Sequence, residues 1–341
     1  MKKSLMTLGV LALFVLMAYG QEKKFALYSV AFYNMENLFD TIHDEGKNDY
    51  EYLPNGTNQW NTMKYKAKLK NMSEILSMLS TDKLPMGPAI IGVSEIENYR
   101  VLEDILKQPA LADRGYQYVH YEGADQRGVD CAFFYNPKLF ELTNSKLVPY
   151  VYINDTVHKT RGFLIASGNI AGEKMHFIVN HWPSRAAASP ARERAGGKVR
   201  AIKDSLLRED SAAKIVIMGD MNDDPMDKSM AVALGAKRKP ADVGPTDLYN
   251  PWWDTLKKGY GTLMYKGKWN LFDQIVFTGN LLGTDRSTLK FYKHEIFRRD
   301  FMFQKEGKYK GYPKRTQAGG VWLNGYSDHL PTIIYLIKEV K

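Results

Sequence analysis

The chain contains a single cysteine, Cys131, in 341 residues. No internal disulfide can form, so the fold rests on packing alone, and a lipid-bearing cysteine at a processed N-terminus is excluded. Beyond the first twenty residues no run approaches the roughly 20 apolar residues of a spanning helix. There is no internal repeat, no heptad series and no Pro/Gly/Ser tract long enough to act as a linker. These absences exclude solenoids and coiled coils, and leave one α/β domain over residues 21–341 as the simplest organisation. With 25% charged and 44% hydrophobic residues, the composition is neither that of a disordered tail nor that of a fibrous polymer.

The first twenty residues have a pattern of their own. Lys2 and Lys3 precede an apolar run from Leu5 to Ala18, and Ala18-Tyr19-Gly20 has the small-x-small form of a cleavage site. A signal peptide over residues 1–20, removed before Gln21, is expected, with export to the periplasm or beyond; a membrane anchor is the alternative. Its loss takes the net charge from +9 to +7.

That charge is concentrated. Residues 286–315 hold ten Lys/Arg against three acids, interleaved with Phe291, Tyr292, Phe297, Phe301, Phe303, Tyr309 and Tyr312. Phosphate contacts combined with base stacking would use this mixture. A solvated strand-and-loop segment with its aromatics turned into the core is the plainer reading of the same residues.

Short apolar runs bounded by turn residues predict strands at 26–33, 89–94, 131–135, 175–180, 214–219, 274–278 and 332–337. Several lack alternation, as strands buried on both faces do. Helical spacing appears at 65–79, 101–106 and 191–208. Polar clusters stand at the strand ends: Asn34 and Glu36 in NMEN, Glu95 in SEIEN, His181 in NHWPSR, Asp220 and Asn222 in GDMNDDP, and Asp328-His329 ahead of the last strand. Side chains leaving several strand ends can converge at one sheet edge. Carboxylates and carboxamides with no cysteine partner are hard oxygen ligands for Mg²⁺, Mn²⁺ or Ca²⁺. GDMNDDP is not an EF-hand loop, because Pro225 stands where that loop needs glycine and Ala231 where it needs glutamate. Taken singly, each cluster reads equally well as an Asx turn or a cap.

The succession NMEN, SEIEN, RGVDCAFFYN, NHWPSR, GDMNDDP, FDQI and SDHLP resembles the endonuclease/exonuclease/phosphatase family of DNase I-like enzymes from about Tyr28 to Ile337, and most of all its secreted bacterial nuclease branch. The resemblance implies a four-layer αββα sandwich with a metal, Mg²⁺ in first place, at the open edge of two sheets. It implies metal ligation by Asn34, Glu36, Glu95 and Asp328, with Glu36 standing where many members carry Asp. It gives catalytic roles to His181, Asp220, Asn222, Asp273 and His329, Asp273 orienting His329, and a phosphate contact to Arg127. The basic stretch adds Arg298, Arg299, Lys308 and Lys310 as candidate substrate contacts. An exported nuclease acting on DNA or RNA is the leading expectation. A phosphatase or phosphodiesterase of small or lipid phosphates, and a nucleic-acid-binding surface protein without catalysis, are the alternatives.

Overall fold

The computed structural model describes residues 23–152 and 155–340; the leader expected over residues 1–20 lies outside them. Numbered in chain order, the strands of the two large sheets are β1 (Lys24–Leu38), β2 (Ile90–Ile96), β3 (Gln117–His120), β4 (Asp130–Tyr135), β5 (Glu141–Val148), β6 (Phe163–Ile170), β7 (Glu173–His181), β8 (Lys214–Asp220), β9 (Ala236–Lys237), β10 (Leu248–Tyr249), β11 (Asp273–Thr278), β12 (Lys290–Ile296) and β13 (Thr332–Val340). One sheet has the order β12-β13-β1-β2-β4-β3, the other β9-β10-β11-β8-β7-β6-β5. The main helices are α1 (Thr62–Met78), α2 (Tyr99–Leu106) and α3 (Ser189–Glu209).

Period-two alternation sorts the strand residues into two apolar faces. Val30 and Phe32 of β1 point inward and meet Phe133, Phe177, Met218 and Ile275 between the sheets. Their neighbours Ala31 and Tyr33 point outward onto Leu69, Met72, Val101 and Ile105 of α1 and α2. Across the molecule, Ile178, Ile215 and Ile217 face Ala195, Val199 and Leu206 of α3. The layers are therefore helix, sheet, sheet, helix, and three apolar seams hold them together. Burial on both faces is why these strands read as continuous apolar runs.

The helices start where the sequence supplies caps. Asn61 accepts a hydrogen bond from Lys64 N ahead of α1, and Asn98 accepts from Arg100 N and Val101 N ahead of α2. Helix α3 has no side-chain cap but carries proline in its first turn, where the missing N–H costs nothing. Among the described residues no helix is long and apolar enough to cross a membrane.

Six strands, β3, β5, β6, β9, β10 and β12, carried no signal in the apolar runs. β5 is an edge strand exposed along much of its length. β6 is interrupted by Gly168, where a Cβ would collide with the Glu141 carbonyl oxygen on the neighbouring strand and with the Phe140 ring. Phe177 sits at the centre of the inter-sheet seam, edge-on to Phe140 at 5.5 Å. Phe177→Ala is expected to cost about 3–5 kcal/mol, read as a lower urea midpoint at unchanged slope. A loss under about 1 kcal/mol would mean that the sheets close over the gap.

Candidate active site

Strand register brings the polar clusters together. β1 and β2 run parallel with Asn34 opposite Ser94, and β7 and β8 run parallel with His181 opposite Asp220. The antiparallel β11 starts with Asp273 opposite Asp220, and β13 starts with Thr332 opposite Phe32 just after Asp328 and His329. Both sheets thus deliver their site residues to one edge. Register irregularities between Asn34 and Leu38 on β1 and between Ser94 and Ile96 on β2 re-aim Glu36 and Glu95. Glu36, Asn37, Glu95 and Asn222 all hold positive φ, between 46° and 58°. Four non-glycine residues in this costly region at one edge are backbone strain gathered at a site.

Asn34 joins the sheets. Its Nδ2 donates to Glu95 Oε1 at 3.1 Å and to Asp220 Oδ2 at 3.0 Å. The second Glu95 oxygen accepts from Asn37 N, and Asp220 Oδ1 accepts from Asn222 N at 2.9 Å. His181 Nε2 stands 3.6 Å from Glu95 and 3.7 Å from Asp220. On the other side His329 Nδ1 pairs with Asp273 Oδ2 at 2.7 Å, while its Nε2 points toward Asp220 at 3.8 Å. Asp220 stands between the two imidazoles. Asn222 Nδ2 donates to the Trp182 carbonyl, so this side chain fixes the turn.

The two histidines sit in opposite electrostatic surroundings. Burial opposes charge on His329, but Asp273 and Asp220 outweigh it and hold its pKa well above the ordinary value. His181 is driven well below that value by burial, then by Arg161, Arg127 and His329. Asp220 is pushed up to about 7 by burial, with His329 pulling the other way. Environments that push titratable neighbours apart assign their roles.

Glu36 and Asp328 share a basic partner. Glu36 Oε1 accepts from Arg315 Nε and Oε2 from Thr316 N, both at 2.7 Å, and Arg315 Nη2 lies 3.0 Å from Asp328 Oδ2. Arg315 therefore clamps the two carboxylates that the resemblance gives to a metal. Lys68 backs the clamp from α1, with Nζ 3.9 Å from Glu36 and donating to Thr316 Oγ1 and the Tyr326 carbonyl. Burial lowers this lysine to about 8 and raises Glu36 to about 7. Both Glu36 oxygens are thus occupied by the clamp.

The remaining substrate candidates divide. Arg127 lies in the turn before β4, half-exposed, with its backbone N–H on Asp125. Arg298 is held over Trp269 and Phe303, at 4.8 and 4.9 Å, and burial lowers its pKa. Arg299 pairs with Asp82 at 2.7 Å over the Phe297 ring. Both arginines pin the segment to the body of the protein, a task the interleaved aromatics concealed. They also line, with Lys310, a hollow of about 400 Å³, while Lys308 lines a larger one beside Asp328.

Three residues that sequence reasoning did not single out complete the picture. Arg161, buried, joins Asp125 at 3.1 Å and donates to the Trp182 carbonyl next to His181. Lys68 falls three positions after Tyr65 and four before Met72, on the apolar stripe of α1; a lysine on such a stripe was the available signal. Arg315 was one basic residue among ten.

Among the described residues, three groups of carboxylate and imidazole atoms are close enough to hold a metal ion: Glu95, His181 and Asp220; Asp220, Asp273 and His329; and His120, Glu122 and Asp130. The first fits a divalent cation best. All three pair two carboxylates with one imidazole, and the first alone places the partly exposed Glu95 at the strained edge.

The chain belongs to the Endonuclease/Exonuclease/phosphatase family, whose model matches residues 29–338. It is a hydrolase of phosphate esters, as members of that family are. No curated protein matches its sequence. Among solved structures it resembles a family protein from Bacteroides thetaiotaomicron at 15% identity and TM-score 0.57, covering 93% of this chain and 97% of that one. A mannosyl-6-phosphatase of the same organism matches at 15% identity and TM-score 0.55, over 91% and 99% of the two chains. TDP2 from D. rerio, complexed with a single-strand DNA product, matches at 15% identity and TM-score 0.53, again over 91% and 99%. At these identities the likeness shows the DNase I-like fold.

Proposed function

We propose that this protein is an exported, Mg²⁺-dependent phosphodiesterase that cleaves nucleic acid, DNA in first place. The observation that carries the nucleic-acid assignment is the placement of the basic stretch. Residues 304–315 wall a cavity whose lining includes Arg315 and Asp328 of the site, and the adjoining hollow with Arg298, Arg299 and Lys310 shares Gln304 with it. Positive charge thus continues away from the catalytic edge, as a polyanion longer than one phosphate requires. TDP2 bound to single-strand DNA shows that this fold accommodates such a ligand in that protein.

The chemistry follows from the residues. Glu95 would hold the cation with Asp220 and His181 flanking it, Asp328 could join through its Oδ1, and Glu36 would join only as Arg315 releases it. A bound divalent ion would neutralise charge on the phosphoryl oxygens. Asp220, oriented through both oxygens and with its proton affinity raised by burial, is suited to take the proton of the attacking water. His329, kept charged by Asp273, donates from Nε2 toward the phosphate. His181 stays neutral and offers a hydrogen bond without adding charge.

A substrate panel tests this reading: single-stranded and duplex DNA, RNA, and phosphomonoesters of sugars and inositol, each with Mg²⁺ and with EDTA. Cation-dependent cleavage of the polynucleotides at higher kcat/KM than any monoester is expected. Hydrolysis of monoesters alone would replace it with the phosphatase reading. Lys308→Gln with Lys310→Gln should lower the slope of log affinity for single-stranded DNA against log salt by about 0.7 per lost contact. An unchanged slope removes both lysines from the substrate path.

A further inference from the structure

Beside the strand-end site lies a cavity of about 810 Å³ that the catalytic steps do not use. This is the volume of a small-molecule pocket. Its walls come from three separate parts of the chain: Leu263–Tyr265 with Lys266 at the hairpin tip, the stretch 304–313, and residues 318–323. The hairpin is tied to the site, because Leu263 bridges His329 and Leu330 N donates to the Thr262 carbonyl at 2.8 Å. At the inner end stand Arg315 and Asp328.

The walls are aromatic and aliphatic. Tyr265 and Tyr309 line them and are 61% and 52% exposed, so neither ring is consumed by the core. Tyr309 stands edge-on to Tyr312 at 5.4 Å, and the Tyr312 hydroxyl accepts from Gly267 N at 2.6 Å, which braces one wall against another. Lys266 and Lys308 lie 5.3 and 5.6 Å from the two exposed rings, bringing positive charge to the same surfaces. Leu263, Val321 and Leu323 add apolar surface beside the rings, and Lys266, Gln304, Glu306 and Lys308 supply polar groups at the margin. A flat aromatic ring can lie against the exposed tyrosine faces and this apolar surface while its polar edge atoms meet the groups at the margin. Stacking on an exposed tyrosine is sequence-tolerant and contributes about 1–3 kcal/mol per base.

We propose that this cavity is a nucleobase subsite, in which the base of the nucleotide next to the cleaved ester stacks on Tyr265 and Tyr309 while Arg315 meets its phosphate. The proposal rests on the phosphodiesterase reading for its position relative to the cleaved bond.

Short single-stranded oligonucleotides carrying 2-aminopurine at each position in turn, bound to the full protein in EDTA, provide the test. One position is expected to lose fluorescence through stacking. Tyr265→Leu with Tyr309→Leu, both at exposed positions, should abolish that quenching and weaken binding about tenfold. An oligonucleotide abasic at the same position should bind wild type and variant alike. Equal affinity of wild type and variant for the base-bearing strand, or quenching at no position, overturns the subsite. Cleavage in Mg²⁺ is scored separately. Cleavage without quenching overturns only the subsite, whereas quenching without cleavage keeps the subsite and overturns the phosphodiesterase reading. Competition by mannose 6-phosphate but not by 2-aminopurine mononucleotide would assign the cavity to a sugar and overturn the proposal.

Discussion

Asp220→Asn is expected to lower kcat on a phosphodiester by about 10²- to 10⁴-fold, the range over which positioned proton transfer contributes. The substitution keeps the shape of the side chain and removes its charge. That charge acts in several directions. Asp220 accepts from Asn34 Nδ2 and Asn222 N, stands 3.7 Å from His181 and 3.8 Å from His329, and follows Asp273 among the groups that hold His329 protonated. An amide there can neither take a proton from water nor favour the imidazolium. Adding His329→Gln should therefore cost little more than Asp220→Asn alone, because groups acting as one unit are non-additive. Steady-state kinetics of both single variants and the double variant make the comparison, with thermal unfolding as the check on folding. Activity within tenfold of wild type would remove Asp220 from proton transfer.

Glu95→Gln is expected to weaken Mn²⁺ binding at least about 100-fold, the upper end of what losing even an outer-sphere partner costs. Both Glu95 oxygens are positioned by neutral donors, Asn34 Nδ2 and Asn37 N, which orient the carboxylate without cancelling its charge. Glu36 and Asp328, by contrast, face Arg315. Glu95 is thus the carboxylate best prepared for a cation at this edge. Calorimetric titration of the protein with Mn²⁺ reads the effect without turnover. Unchanged affinity accompanied by lost activity would make Glu95 a positioner of water or phosphate.

Much of this was legible in the sequence because the site residues sit where strands stop. Glu95, His181 and Asp220 each follow a run buried on both faces, and parallel register then places their ends at the same level. The Asp273–His329 pair, 56 positions apart, came from the family resemblance and is present at 2.7 Å. The engagement of Glu36 was not legible. It depends on Arg315 and Thr316 arriving from a loop 279 and 280 positions later, and on Lys68 from inside a helix. Local pattern carries no information about contacts that only tertiary folding makes. The basic stretch was legible in composition but not in function. Phe291 and Phe297 did go to the core, as the plainer reading had it, whereas Tyr309 remained exposed beside the site. Arg298 and Arg299 look identical to Lys308 and Lys310 in a charge count, yet aromatic rings and Asp82 already engage them.

One strand-end edge is expected to hold both the cation and the phosphate. Crystals soaked with Mn²⁺ and a short phosphorothioate oligonucleotide, which resists cleavage, test it in a single anomalous-scattering difference map. A manganese peak bonded to Glu95 is expected, with a sulfur peak between His181 and His329. Manganese confined to His120, Glu122 and Asp130, or sulfur remote from both catalytic histidines, would contradict the account.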